Sequence, residues 1–189
     1  MKIPASFTTI ARRLEKKSVA REALLRAMRD VRQASKRAIF AYHRADVVDA
    51  DRLLTLADRG LVDAKKTLKA FPEFAYAGLY REGLEEYIEA RLYRAFLEKR
   101  KPLSQEDGWD DESYLAGLSD ATGEVVRWAL ARATEKDVTS VEEAIVFVRL
   151  VVEFFLSLDL SGYVRTKADQ TKKNLRNLED MRYDLSLRG

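Results

Sequence analysis

The sequence predicts an all-α fold: an antiparallel bundle of about six or seven helices, with a long N-terminal helix. Three observations predict this fold. Only three prolines and eight glycines occur among 189 residues, so residues that break helices are rare. Apolar residues recur at spacings of three and four over most of the chain. The length suits one well-buried domain, which we expect to span residues 1–189.

The first predicted helix covers residues 6–45, which contain neither proline nor glycine. Ser18 is a candidate N-cap, so this helix could break there into two segments. The outward faces of the helix are rich in arginine and lysine. Basic faces of this kind are either solvated surfaces or rows of cations that contact the phosphates of a nucleic acid. The sequence of the first helix leaves both interpretations open.

The second and third predicted helices cover residues 48–70 and 74–99. Pro72 separates them, because proline disfavours helical backbone at the preceding residue and suits the first turn of a new helix. A polar stretch at 101–111 is the only convincing long loop.

Three more helices complete the prediction, over residues 112–133, 141–158 and from about 164 towards the C-terminus. A capping box that starts at Thr139 would begin the fifth helix. This helix is apolar on nearly all sides, so we expect it at the centre of the core or in a subunit contact. The last helix has a narrow apolar seam that suits packing against another helix.

Two pairs of carboxylates stand out in this pattern. Glu86 and Glu89 are three residues apart in the third helix, and Asp120 and Glu124 are four apart in the fourth. Each pair therefore lies on one helical face, where like charges repel. Acidic pairs of this kind are commonly solvated or bound to lysine and arginine. If the two pairs instead held a metal, oxygen-only ligands would favour Mg²⁺ or Mn²⁺.

The residue inventory excludes several classes of chemistry. There is no cysteine, which excludes disulfides and thiolate chemistry and is typical of a cytoplasmic protein. His43 is the one histidine, so a repeated Glu-x-x-His di-iron site is excluded, and His43 by itself suits a packed or surface position better than a catalytic one. The most apolar run, 144–158, contains two charged residues and is too short to span a bilayer, so we expect no membrane association.

Four blocks of the sequence resemble the translin family. They are residues 35–44 (with Ser-Lys-Arg-Ala-Ile-Phe and then His-Arg), 83–90, 114–124 and 183–189. The first three are similar to the catalytic branch, the translin-associated factor X (TRAX) proteins, and the last is more translin-like. The blocks occur in the family's order over most of the chain, which makes the signal specific.

The resemblance implies an all-helical protein that assembles into an octameric shell and binds RNA or single-stranded DNA. Its catalytic branch is a metal-dependent endoribonuclease. The branch's two glutamates correspond to Glu86 and Glu89, its aspartate to Asp120 and its following glutamate to Glu124, as catalytic residues and metal ligands. Glu85 departs from the family pattern, which has glutamine there, and the loop between the acidic helices is short.

We therefore expect a Mg²⁺-dependent (or Mn²⁺-dependent) endoribonuclease that cleaves single-stranded or unwound RNA by attack of an activated water. We expect a homo-oligomer, an octamer, rather than a mixed translin–TRAX complex. The expected nucleic-acid contacts are Lys36, Arg37, His43 and Arg44. The alternative is a non-catalytic shell that binds single-stranded RNA or DNA and keeps these carboxylates for structural reasons.

Overall fold

The computed structural model describes residues 4–76, 78–99, 102, 104–106 and 108–187. Within this part of the chain it has a 3₁₀ helix at Pro72–Tyr76 and six α-helices, which are α1 (Ala5–His43), α2 (Val47–Ala70), α3 (Gly78–Lys99), α4 (Asp111–Thr134), α5 (Val138–Leu156) and α6 (Gly162–Leu187). The predicted all-α class with a long first helix is confirmed. Part of the predicted 101–111 loop and the end of the 183–189 block lie outside the described residues.

The helices are not antiparallel throughout. Three residues join α1 to α2, and these two helices form an antiparallel hairpin, as do α5 and α6. However, α1 and α3 run in the same direction. The Arg32 Nη1 atom donates to Glu82 at 3.0 Å, and Lys36 Nζ lies 3.4 Å from Glu86, so both pairs are separated by fifty residues. A constant separation of this kind requires parallel helices.

Helices α3 and α4 are also parallel, and the length of their connection permits it. Eleven residues separate Lys99 from Asp111. In extended form they can span about 36 Å, while the 22 residues of α3 rise about 33 Å. The chain can therefore return along the whole of α3 before α4 begins. As a result, the acidic residues of α3 and α4 meet at one level of the bundle.

Three predicted helix boundaries are wrong. Helix α1 continues through Ser18 without a break. Residues 74–76 belong to the 3₁₀ helix that begins at Pro72, and α3 begins at Gly78. Helix α5 begins at Val138 because Asp137, and not Thr139, is its N-cap: the Asp137 carboxylate accepts a hydrogen bond from the Ser140 amide at 3.0 Å.

Two glycines allow α1, α3 and α4 to approach closely. A Cβ atom on Gly83 would lie 2.9 Å from the Met28 carbonyl oxygen of α1. A Cβ atom on Gly117 would lie 2.7 Å from Ile88 Cγ2 and 3.0 Å from the Glu85 carbonyl oxygen of α3. At both positions these distances are too short for any larger residue without a shift of the backbone or of its neighbour. The two glycines thus bring three helices together beside the acidic residues.

Helix α5 does not lie at the centre of the bundle. It packs mainly on α4 and α6, and one of its faces leaves Val146, Leu150 and Phe154 exposed. The first of the two predicted positions, the centre of the core, is therefore wrong, and the predicted subunit contact is left as an expectation. In the described part of the chain, no helix has the length and apolar character that crossing a membrane requires.

Candidate functional site

Glu89 of α3 lies at the centre of a group of carboxylates. Its side chain is largely buried, and burial together with the negative charges of Asp120, Glu86 and Glu124 raises the pKa of Glu89 to about 9. These are the four acidic residues singled out in the sequence, and the fold brings the other three close enough to Glu89 to influence its ionisation. We call them the acidic cluster.

Helix α1 supplies cations to the α3 side of this cluster. Lys36 Nζ lies 3.4 Å from Glu86 Oε2, and Arg32 Nε lies 3.9 Å from the same oxygen. Burial nevertheless raises the pKa of Glu86, and these two cations oppose that effect only in part. The Glu86 carboxylate therefore lies between cations of α1 and acids of α3 and α4.

Asp120 of α4 binds a lysine from the C-terminal helix. Lys167 Nζ of α6 donates to both carboxylate oxygens, at 2.7 and 2.5 Å. The Lys167 ammonium also lies 5.3 Å from the centre of the Tyr163 ring, one helical turn earlier on α6. The Tyr163 hydroxyl donates to Glu85 at 2.7 Å. Helix α6 thus closes one side of the acidic cluster.

Glu124 contacts the histidine of α1. His43 Nε2 forms a short hydrogen bond with Glu124 Oε2, and His43 Nδ1 lies 3.2 Å from the hydroxyl of Tyr93. Tyr93 is fully buried, and its ring lies against the imidazole with 4.9 Å between the ring centres. The imidazole is therefore fixed on both edges and aimed at the acidic cluster.

The four expected nucleic-acid contacts divide into two pairs; Lys36, Arg37 and His43 lie on α1, and Arg44 is its C-cap. Lys36 and His43, seven residues apart, both face the acidic cluster. Arg37 and Arg44 are exposed, and each lies one residue further along, about 100° around the helix. Arg37 lines an open groove between α1 and α2 instead. The structure therefore does not bring all four residues to one surface.

The donor atoms of the cluster suit a hard divalent cation, because four carboxylates offer oxygen ligands only. Within the described ranges, however, no three aspartate, glutamate or histidine side chains are placed so that they could hold a metal ion as they stand. Asp120, Glu86 and Glu124 instead face Lys167, Lys36 and His43. Metal binding would require these side chains to turn towards one another.

The sequence interpretation missed the contributions of α6. Lys167 and Tyr163 were not among the candidate residues, although Lys167 lies beside the apolar seam, three residues after Val164 and four before Thr171. The available signal was the position of Lys167 at the edge of the apolar seam, because the lysine would then lie beside any acidic helix on which the seam packs. Its partner could not be identified, because the pairing of α4 with α6 joins residues 47 positions apart.

The fold resembles solved structures over nearly its whole length. The crystal structure of apo-NeC3PO matches with a TM-score of 0.89, covering 98% of this chain and 100% of that one, at 19% sequence identity. The structure of an AfC3PO–duplex RNA complex matches with a TM-score of 0.85 and covers 96% of this chain and 97% of that one, at 22% identity.

Sequence comparison reaches the same group of proteins. The chain is 25% identical over 227 residues to translin-associated protein X of Rattus norvegicus, covering 97% of this chain and 78% of the relative. It is 27% identical over 158 residues to the translin-associated protein X homolog of Schizosaccharomyces pombe, covering 76% of this chain and 68% of that protein. The model of the translin family matches residues 19–189. The chain therefore belongs to the translin family, and within it is TRAX-like.

Proposed function

We propose that this protein is an endoribonuclease that depends on Mg²⁺ or Mn²⁺ and cleaves single-stranded or unwound RNA. The observation that supports the proposal best is the position of Glu89. A fold built only for stability has little reason to bury this carboxylate beside three others, since burial and the neighbouring negative charges together raise its pKa to about 9. A divalent cation would favour the ionised forms of all four side chains.

Each acidic residue has a proposed role. Glu86, Glu89 and Asp120 hold the metal, and Glu124 is a further ligand or orients the others through its hydrogen bond to His43. A bound Mg²⁺ or Mn²⁺ would supply activation of water and stabilisation of charge at phosphorus. No protein nucleophile is needed, and the chain has no cysteine to provide a thiolate.

The cations of α1 have separate roles in this proposal. Lys36 and His43 border the acidic cluster, where a lysine and an imidazole can contact the phosphate that is cleaved. Arg37 and Arg44 are exposed on the neighbouring face and contact phosphates further along the strand. One relative of known structure was solved with duplex RNA, so paired RNA is tested beside single strands.

We further propose that the chain forms a closed homo-oligomer, an octamer. The exposed side chains of Val146, Leu150 and Phe154 follow one face of α5 at spacings of four, a pattern typical of subunit contacts. Light scattering at micromolar concentration should give the mass of an oligomer, and Leu150→Glu should reduce it. A monomeric parent protein would contradict this part of the proposal.

The second candidate is a shell protein that binds nucleic acid without cleaving it. It is favoured by one observation: three of the four carboxylates already face cationic or imidazole partners. Incubation of the pure protein with end-labelled single-stranded and duplex RNA, in Mg²⁺ and in EDTA, distinguishes the two candidates. We expect internal cleavage in Mg²⁺ that EDTA abolishes. Binding without cleavage in both buffers would establish the non-catalytic alternative.

A further inference from the structure

Lys167 of α6 binds its ion-pair partner, Asp120, through both carboxylate oxygens. Its Nζ atom lies 2.7 and 2.5 Å from the two oxygens of Asp120. Both side chains are partly buried, with 19% and 33% of their surfaces exposed. An ammonium placed between both oxygens occupies the position from which a carboxylate coordinates a cation.

The backbone at Lys167 is fixed to α4. The Ser119 hydroxyl donates to the Lys167 carbonyl oxygen at 2.7 Å, and Thr171 donates to the same serine oxygen at 2.8 Å. Ser119 and Thr171 are fully buried. These buried hydrogen bonds hold the backbone of Lys167 at a fixed position on α4. The Lys167 side chain therefore starts from a fixed point beside Asp120, unlike a lysine on a free helix surface.

The positive charge of Lys167 affects the pKa of more than one acidic residue. It opposes the rise in pKa of Glu85 and of Glu89, which burial and the neighbouring acids cause. A nearby lysine of the same helix shows the contrast: Lys172 pairs with Asp169 three residues before it, at 3.1 Å, and 51% of the Asp169 side chain is exposed. Lys172 forms an ordinary surface pair.

We propose that Lys167 is the built-in counter-cation of the acidic cluster and that it competes with a divalent cation for Asp120. This inference rests on the proposed metal site. Metal can bind Asp120 fully only if the Lys167 ammonium moves away from at least one carboxylate oxygen. Lys167 thus stabilises the cluster and weakens its affinity for metal at the same time. The displaced ammonium would remain beside the cluster, where it can contact an RNA phosphate.

The test is calorimetric titration of Mn²⁺ into full-length protein that has been treated with EDTA and dialysed. Lys167→Met keeps the length of the side chain and removes its charge, so we expect Mn²⁺ to bind about tenfold more tightly than to the parent protein. Lys167→Gln, which can still donate a hydrogen bond to Asp120, should shift the affinity in the same direction and serves if the methionine variant folds poorly. The matched control, Lys172→Met, should leave the affinity unchanged.

Thermal unfolding gives a second measurement that does not depend on activity. In EDTA, Lys167→Met should unfold at a lower temperature than the parent, because Asp120 then faces the other acids without its counter-cation. Saturating Mn²⁺ should raise the unfolding temperature of the variant more than that of the parent. Lys172→Met should show neither change.

The outcomes separate this inference from the proposed function. Equal or weaker Mn²⁺ binding by both Lys167 variants would overturn the competition. If the parent binds no Mn²⁺ but the variants do, Lys167 blocks the site, and the proposed metal dependence of the parent fails while the inference stands. If neither the parent nor the variants bind, both fail. If the Lys167 variants bind Mn²⁺ more tightly than the parent, and the parent cleaves RNA in a Mg²⁺-dependent way, both the inference and the proposed function are supported.

Discussion

Two of the polar contacts that helix α4 makes lie a few residues apart and are built in opposite ways. Towards α6, Thr171 Oγ1 donates to Ser119 Oγ and Asn174 Nδ2 donates to Thr122 Oγ1, each at 2.8 Å. All four of these side chains are neutral and buried, and each has a partner. Towards α3, Asp120 and Glu124 instead meet Glu86 and Glu89, and burial together with the negative charges raises the pKa of Glu89.

The difference indicates which contact serves the fold and which serves the chemistry. A buried polar network whose members are all paired stabilises the fold and fixes how two helices align. A group of like charges destabilises the fold, so its presence needs another explanation. We therefore treat the neutral α4–α6 contact of Ser119, Thr122, Thr171 and Asn174 as structural. The acidic α3–α4 contact, with the Lys167 ammonium beside it, is the functional one.

The largest effect should come from neutral substitutions in the acidic cluster. Glu89→Gln and Asp120→Asn should each reduce RNA cleavage at least about a hundredfold while RNA binding persists, because they remove charged metal ligands and keep the side-chain shape. Single-turnover cleavage in Mg²⁺ measures this loss. Glu98→Gln is the matched control, since Glu98 lies on the same helix but is exposed and pairs with Arg94. Variants that cleave at the parental rate would show that the cluster is not the active site.

The next effect concerns stability and pH. The pKa of Glu89 is raised from 4.5 to about 9 by folding, so the folded protein holds a proton that the unfolded chain releases. The resulting stabilisation is complete below pH 4.5 and is lost as the pH rises towards 9, by up to about 1.4 kcal/mol per pH unit. The glutamine of Glu89→Gln does not ionise, so this variant lacks the pH-dependent contribution to stability.

Urea unfolding at several pH values between 5 and 9 tests this difference in stability. Relative to the parent, Glu89→Gln should gain stability steadily as the pH rises, by a few kcal/mol in total. Glu98→Gln should follow the parent throughout. If the Glu89 variant is destabilised by the same amount at every pH, the carboxylate is an ordinary structural group and the comparison between the two contacts fails.

A change in the α4–α6 contact should have the opposite character. Asn174→Ala leaves the buried Thr122 hydroxyl without its donor, so the free energy of unfolding should fall by about 1–3 kcal/mol. Cleavage by the folded variant should stay close to the parental rate. Asn177→Ala, an exposed position on the same helix, should change the free energy of unfolding little. An Asn174 variant that folds stably but no longer cleaves would assign a functional role to this contact.

Much of this comparison could be predicted from the sequence, because it depends on local spacing. The intervals between Glu86 and Glu89 and between Asp120 and Glu124 fix which side chains share a helical face. The partners across helices could not be predicted in this way. Lys167 reaches Asp120 because α6 runs parallel to α4, and that direction depends on how α5 and its connections fold back.

The faces of α1 give a second example of a feature that the sequence alone does not predict. The sequence placed Lys36, Arg37, His43 and Arg44 together as nucleic-acid contacts, since all four lie in the block at 35–44 that resembles the family. A turn of about 100° per residue separates Lys36 from Arg37. Which of the two pairs faces the acids depends on the packing of α1 against α3, which single-helix periodicity does not specify.

The smallest expected effect concerns the two exposed arginines, Arg37 on α1 and Arg44 at its C-cap. Changing both Arg37 and Arg44 to alanine should reduce the slope of log affinity against log salt by roughly one for each lost phosphate contact. At saturating RNA the cleavage rate should largely recover, because both arginines lie away from the acidic cluster. Changing Arg165 and Arg176 of α6, both exposed, is the control for a general loss of charge. An unchanged slope would show that Arg37 and Arg44 do not contact the RNA.

The central claim is that one divalent-metal site, built around Glu89, is responsible for RNA cleavage. It is tested most directly by measuring Mn²⁺ binding by calorimetry and single-turnover cleavage as a function of Mn²⁺ in the same preparations of the parent, Glu89→Gln and Glu98→Gln. We predict that half-maximal cleavage coincides with the measured Kd in the parent and in Glu98→Gln, and that Glu89→Gln loses both. Parental Mn²⁺ binding and cleavage by Glu89→Gln, or full cleavage by the parent in EDTA, would contradict the claim.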